Sequence, residues 1–175
     1  RFSTSNPQDM TLDVIHITAK HNNICKYIHL PVQSGSNAML KAMNRQHTRE
    51  EYMELVDNIY NIIPEMALSQ DMIAGFCGET EEDHKDTLDL MQHVKYSFGF
   101  MFAYSERPGT LAAKKMEDDI PLAVKKRRLQ EIIDLQQEHS LLRTKEHLGK
   151  VQEVLIEGTS KPVSYTHLRA HETHE

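Results

Sequence analysis

Short apolar runs alternate with amphipathic stretches along most of the chain. Three of these runs predict strands, at residues 25–32, 67–76 and 98–104. A stretch whose apolar residues recur at helical spacing follows each run. Strands that alternate with helices in this way indicate βα units, a parallel sheet and an α/β fold.

Local start and stop signals mark the predicted helices. Residues 48–51 have the sequence of a capping box, and Thr80 with Asp83 begins a second capped helix. Pro64 follows the end of the first of these helices. The other predicted elements are a helix at 9–22 with Leu12, Ile15 and Ala19 on one face, a helix of about 25 residues from Pro121 to Gly149, and a strand at 151–156.

Composition places the chain among ordinary water-soluble proteins. Of its 175 residues, 39% are hydrophobic and 26% are charged, and no apolar run approaches the roughly 18 residues of a membrane span. Cys25 and Cys77 are too few for a disulfide framework and are not spaced like zinc ligands. We therefore expect a protein of the reducing cytoplasm that does not enter a membrane.

The net charge argues against a positive field over the whole protein that would attract nucleic acid, but one local cluster of basic residues is present. The formal net charge is −6, while Lys125, Lys126, Arg127 and Arg128 follow one another near the start of the long helix. Such a run indicates either a solvated helix face or a patch that contacts phosphates, and the sequence leaves both open.

Polar, glycine-containing loops follow all three predicted strands, at residues 33–36, 75–80 and 104–110. Because the carboxyl ends of parallel strands lie on the same rim, these loops outline one pocket. Acidic residues crowd the helix start after the second loop and would repel a bare phosphate. The loops therefore favour a nucleoside-like ligand, although the acids could simply cap the helix and Gln33 could be an ordinary buried residue.

Both chain ends suggest a piece of a longer reading frame. The first residues, RFSTSNPQDM, contain neither an initiator Met nor a signal peptide. Residues 162–175 resemble the read-through translation of adaptor or vector DNA. We predict that this tail is not native and that His167, His171 and His174 are not a metal site.

Four segments carry a family resemblance. They are HLPVQSGSNAMLKAMNR, DMIAGFCGETEEDHKDT, FAYSERPGTLAAKK and VKKRRLQEIIDLQQEHS. Together they resemble, in the right order, the C-terminal half of a radical S-adenosylmethionine (SAM) methylthiotransferase. The resemblance covers nearly all of residues 1–161. It implies the C-terminal part of a partial (βα) radical SAM barrel at 1–147, with its terminal long helix, and the first strand of a truncated TRAM β-barrel domain at 149–161.

The resemblance also implies an activity. SAM and [4Fe-4S] clusters would generate a radical that activates C2 of N6-dimethylallyladenosine next to the anticodon, where a methylthio group is then added. The partners implied are tRNA and an electron donor for cluster reduction. HLPVQSGS is similar to the tRNA enzymes, since the enzyme for a ribosomal protein usually has His in place of Ser34.

The implied binding residues all lie in or near the three loops. They are Gln33, Ser34, Ser36, Arg45, Asp71, Gly75, Glu79, Tyr104, Ser105 and Arg107. Contacts to tRNA are expected from Lys125, Lys126, Arg127 and Arg128. The family's cluster motif, Cys-x3-Cys-x2-Cys, does not occur in this sequence, so we expect neither a metal ligand nor a catalytic residue here. The chain alone is therefore predicted to be inactive.

Three alternatives remain open. The chain could belong to a methylthiotransferase for another tRNA adenosine or for a ribosomal protein. It could be a catalytically dead tRNA-binding module, which steep salt dependence without cofactor dependence would reveal. Periodicity alone also allows an unrelated metabolic βα barrel.

Overall fold

The computed structural model describes residues 6–151, 156–159 and 168–170. Its main sheet is parallel, with strand order β1-β2-β3. The strands are β1 (Tyr27–His29), β2 (Ala67–Ala74) and β3 (Phe98–Ala103). The helices are α1 (Leu12–Lys20), α2 (Asn37–Ala42), α3 (Arg49–Ile62), α4 (Glu81–Val94), α5 (Leu111–Lys115) and α6 (Leu122–Lys145), and a 3-10 turn spans Pro7–Asp9. The predicted α/β class is confirmed.

The helices cover one face of the sheet. Strand side chains alternate between faces, so Leu68, Met72 and Ala74 of β2 share the helix side, where they are fully buried. Gln70, on the same side, lies 3.4 Å from the Gln136 amide of α6. The opposite face carries polar and aromatic side chains, including Ser69, Asp71 and the half-exposed Phe100. That second face leads to the site.

Both predicted capping boxes are present. Thr48 and Glu51 exchange side-chain and backbone hydrogen bonds at the start of α3, and Thr80 and Asp83 do the same at the start of α4. α3 ends at Ile62, two residues before Pro64, as the proline predicts. The long helix is also confirmed, with 24 residues.

Several predicted boundaries were wrong. The helix expected at 9–22 is divided into the 3-10 turn and α1, and Leu12 is exposed while Ile15 is buried. β1 has only three residues, because the chain leaves the ladder and rejoins it at Gln33, opposite Met72. α5 was not predicted. It starts where the Thr110 side chain accepts a hydrogen bond from the Ala113 N–H. Threonine is a favoured N-cap residue, so Thr110 was a signal for this helix in the sequence.

A second, antiparallel pair of strands follows the long helix. β4 (Ile156–Thr159) pairs with β5 (Leu168–Ala170). The strand expected at 151–156 lies mostly outside the described residues, as do His167, His171 and His174. The domain boundaries and the origin of the tail stay predictions. Within the described residues, no helix is both long and apolar enough to cross a membrane.

Candidate functional site

A cavity of about 680 Å³ lies at the carboxyl ends of β2 and β3. The loops after the three parallel strands therefore meet at one rim of the sheet, as predicted. Six of the ten predicted binding residues line this cavity: Gln33, Arg45, Asp71, Tyr104, Ser105 and Arg107. The other four, Ser34, Ser36, Gly75 and Glu79, lie in the loops behind its wall and are not among the lining residues described.

Gln33 has a backbone conformation that non-glycine residues rarely adopt. Its φ is +78°. The Gln33 N–H donates to the Asp71 carbonyl at 2.9 Å, and the Ile73 N–H donates to the Gln33 carbonyl at 3.0 Å. These bonds to β2 hold the strained residue in place. Strain of this kind is concentrated at functional sites, and here it accompanies an amide side chain in the cavity wall.

The two serines of the first loop bind protein groups. Ser34 lies 3.3 Å from the Thr87 hydroxyl, which also accepts the Gly35 N–H at 2.9 Å. Ser36 caps α2 and donates its hydroxyl proton to Asp83. A Cβ on Gly35 would lie 2.3 Å from the Asp86 carbonyl oxygen. The Ser-Gly-Ser part of the loop therefore docks on α4, and Gln33 alone of its four residues lines the cavity.

The second loop is fixed by a buried ion pair. Glu79 is 3% exposed, and its carboxylate accepts hydrogen bonds from the Gly75 N–H and from Arg128, each at 2.8 Å. Burial raises the pKa of Glu79, while the Gly75 N–H and Arg128 oppose that rise. Glu79 therefore shapes the loop, since its side chain is used in contacts with Gly75 and Arg128.

The basic run at the start of α6 is divided between interior and surface. Lys125 and Arg128 are 4% and 3% exposed, whereas Lys126 and Arg127 are exposed. The Lys125 ammonium lies 2.6 Å from Asp118, so α6 does not present four cations on one solvated face. An expected contact to tRNA therefore depends on Lys126 and Arg127.

The cavity combines aromatic, cationic and anionic groups. Phe76 and Tyr104 meet edge to face with ring centroids 4.8 Å apart. Desolvation and the neighbouring Cys77 thiol raise the pKa of Tyr104 to about 12, so it stays a neutral phenol at physiological pH. Arg45 and Arg107 are exposed lining residues, and Asp71 contributes a carboxylate. Such a lining suits a ligand with an aromatic ring and charges of both signs.

Sequence reasoning missed residues on the inner face of the sheet, which is the face opposite the helices. His29 has its Nε2 atom 3.4 Å from the Asp71 carboxylate, and its Nδ1 atom 2.8 Å from the Ser69 hydroxyl. Both contacts could have been anticipated, because positions 29, 69 and 71 share one face by strand alternation. Phe102, two positions beyond Phe100 on β3, also lines the cavity.

Iron–sulfur ligands are not assembled in the described residues. No group of three or more His, Cys, Asp or Glu residues there could hold a metal ion. Cys25 is exposed and Cys77 is buried against Phe76. The residues described therefore do not fit a [4Fe-4S] cluster.

Comparison with known proteins identifies relatives of high similarity. A tRNA-2-methylthio-N(6)-dimethylallyladenosine synthase from Flavobacterium psychrophilum is 65% identical over 161 residues, which cover 92% of this chain and 34% of that protein. The synthase of the same name from Christiangramia forsetii is 66% identical over the same shares. The chain thus spans about a third of the length of the curated relatives it matches.

Structural and family comparisons agree. Coproporphyrinogen III oxidase from Escherichia coli, described as a radical SAM enzyme, superimposes with a TM-score of 0.63. The match covers 78% of this chain and 31% of that one at 24% identity, and it shows a shared fold. The profile of the Radical SAM superfamily matches residues 2–91, which is more than half of the chain. The chain therefore belongs to the Radical SAM superfamily.

Proposed function

We propose that this chain supplies part of the ligand-binding barrel of an enzyme that adds a methylthio group to C2 of N6-dimethylallyladenosine in tRNA. The observation that carries the proposal is the 65% identity to a synthase of that name over nearly the whole chain. The cavity at the strand ends supports it, because six residues expected from the sequence to bind ligand lie together there.

We propose that the cavity binds SAM. Arg45 or Arg107 would pair with the methionine carboxylate, and Asp71 offers an acceptor for N–H groups. Phe76 and Tyr104 offer aromatic surface in the cavity wall for the apolar parts of the ligand. When bound, SAM would supply the radical that activates the C–H bond, after one-electron reduction by an iron–sulfur cluster, and a separate SAM molecule would supply the methyl group. The chain's own residues would bind and orient it.

Iron–sulfur chemistry needs residues beyond those described. Three thiolates are required for a radical SAM cluster, and Cys25 and Cys77 lie in separate parts of the fold. We therefore propose that this chain alone does not transfer a methylthio group. We also propose that the full-length enzyme receives electrons for cluster reduction from an electron donor and that it is cytoplasmic.

Recognition of tRNA is proposed for the exposed part of the basic run. Lys126 is exposed, and Arg127 is half exposed while it pairs with Glu131 and Glu81. A phosphate would compete with these carboxylates for the Arg127 guanidinium. Arg107 at the cavity mouth is a further candidate for a phosphate next to the target nucleoside.

A chimera tests the proposed function directly. Residues 1–161 would replace the matching segment of the Flavobacterium psychrophilum synthase, in a strain that lacks its own enzyme. Mass spectrometry of tRNA nucleosides is expected to detect the 2-methylthio product. The same synthase with its own segment is the positive control. A folded chimera that binds iron–sulfur clusters but yields no methylthio nucleoside would refute the proposal.

A further inference from the structure

We propose that the inner face of the sheet holds a recognition subsite for a heteroaromatic base with an N–H donor. Asp71 accepts the hydrogen bond from the base, and His29 is the positioning residue that orients Asp71. The inference rests on the proposed function, because it specifies how the cavity would recognise an adenine.

A line of four side chains runs along this face. The Tyr27 hydroxyl lies 2.7 Å from the Ser69 hydroxyl, which lies 2.8 Å from His29 Nδ1. His29 Nε2 lies 3.4 Å from the Asp71 carboxylate. Strand register explains the line, since His29 is paired with Ser69 and Asp71 is two residues further along β2. The line starts at Tyr27, the first residue of β1, and ends at Asp71, which lines the cavity.

Either hydroxyl could be the donor between Tyr27 and Ser69, and the tautomer of His29 decides the roles in its contact with Ser69. One tautomer suits the proposal, in which the Ser69 hydroxyl would donate to Nδ1. Nε2 would then carry the imidazole proton, 3.4 Å from the Asp71 carboxylate, a contact at ion-pair distance without the geometry of a hydrogen bond. This is the arrangement by which a histidine can position an acceptor.

Asp71 keeps acceptor capacity for a ligand. A carboxylate offers about four lone-pair sites. The Asp71 side chain is 27% exposed and faces the cavity. In the part of the chain that the structure describes, His29 is the one side chain at ion-pair distance from it. A ligand N–H entering the cavity therefore meets an oriented anion.

The neighbouring aromatic residues favour a ring over an amine without one. Phe100 lies edge-on to His29, with ring centroids 6.2 Å apart, and Phe102 lines the cavity. Both phenylalanines are about half exposed on the inner face. Aromatic side chains stack well on nucleobases, and the Asp71 carboxylate would repel a phosphate placed directly against it. An adenine with an N6–H combines both requirements, whether it belongs to SAM or to the tRNA nucleoside.

Two nucleosides that differ by one N–H test the subsite. N6-methyladenosine keeps one N6–H, and N6,N6-dimethyladenosine has none. Both are titrated into the chain and followed by amide NMR shifts. We expect the first to bind about tenfold more tightly, as a hydrogen bond to a charged acceptor provides. Equal affinity for the two nucleosides, or no binding of either, would contradict the subsite.

Variants separate positioning from folding. Asp71→Ala, which removes the acceptor, is expected to abolish the preference, and His29→Phe is expected to weaken it. His29→Gln should retain it, because its amide N–H can still face Asp71. His93→Gln is the matched control, since His93 pairs with Asp57 at 2.8 Å on the outer surface. A merely structural role for His29 would lower stability and leave the preference intact. An intact preference in folded His29→Phe would therefore refute the positioning role.

Competition identifies the source of the base. S-adenosylhomocysteine that displaces N6-methyladenosine would assign the subsite to the cofactor's adenine, and simultaneous binding would assign it to the tRNA nucleoside. Either result supports the subsite. An inactive chimera with preserved N–H preference would count against the proposed function alone. An active chimera without that preference would count against the subsite alone.

Discussion

Arg128 and Glu79 form an ion pair of 2.8 Å in which both side chains are almost completely buried. The pair joins α6 to the loop after β2. The Arg128 guanidinium also donates to the Glu79 carbonyl and to Glu81. The long helix α6 therefore stabilises the loop behind the cavity wall. It does so through Arg128, a member of the basic run that could have been a solvated surface cluster by sequence alone.

Breaking this pair is expected to destabilise the fold. Arg128→Met should lower the free energy of unfolding by about 3–5 kcal/mol, because it leaves the Glu79 charge buried and unpaired. Urea unfolding measures the change. Arg127→Met is the matched control, since it removes a solvent-exposed pair and should have little effect. Equal losses in the two variants would contradict the assigned role.

Alanine substitutions at Gly75 and Gly78 distinguish the cost of backbone strain from the cost of a steric clash. Both have a φ near +75°, but a Cβ on Gly75 would lie 2.4 Å from Lys125 Cγ, whereas one on Gly78 would meet no atom within 4 Å. Alanine at either position should cost about 1 kcal/mol for the left-handed backbone. Gly75→Ala should cost more in chemical denaturation. Similar values would show that the Lys125 side chain moves aside freely.

Gln33 should display a conflict between stability and binding. Gln33→Gly and Gln33→Ala both lack the amide, but only glycine adopts φ +78° without strain. We expect Gln33→Gly to have a free energy of unfolding about 1 kcal/mol higher than that of Gln33→Ala. Both should bind S-adenosylhomocysteine more weakly than the parent chain in calorimetry. Unchanged affinity in both would exclude the Gln33 side chain from the site.

Glu79 tests whether a residue behind the wall affects ligand binding. In the full-length enzyme, Glu79→Ala should weaken cofactor binding through the Gly75 loop, although the carboxylate does not line the cavity. Turnover and cofactor affinity are the measurements. If Gln33→Ala and Glu79→Ala both left them unchanged, the predicted map of binding residues would be wrong.

Acid should weaken the contact between the first loop and α4. Burial alone would raise the pKa of Asp83, but hydrogen bonds from Ser36 and Thr80 lower it below the ordinary value. Its contribution to stability is therefore present above the ordinary aspartate pKa and is lost as pH falls through the lower folded value. Free energies of unfolding for the parent and Asp83→Asn should converge as the pH falls below the ordinary aspartate pKa and through the lower folded value. A constant difference would contradict this linkage.

Local chemistry made much of the fold predictable. Capping boxes at Thr48 and Thr80 are read from a few adjacent residues, and Pro64 blocks a helix by itself. The common rim followed from strand direction, which holds for any parallel sheet. These features depend on neighbours in sequence or on general topology, and the structure confirms them.

Side-chain destinations were not predictable in the same way. Gln33 and Ser34 are adjacent, yet one lines the cavity and the other docks on α4, because the left-handed backbone at Gln33 turns the chain. Arg128 is buried because Glu79, 49 residues away in sequence, compensates its charge, and Lys125 is buried against Asp118, seven residues before it. Such outcomes depend on how the folded chain brings side chains together, which the helical pattern of α6 does not encode.

The two thiols offer unequal access to reagents. Cys25 is exposed, while Cys77 is 3% exposed and packed beside the cavity residues Phe76 and Tyr104. A maleimide should therefore label Cys25 first and reach Cys77 only when the cavity wall opens. With Cys25 replaced by serine, the alkylation rate of Cys77 would measure how often the cavity wall opens.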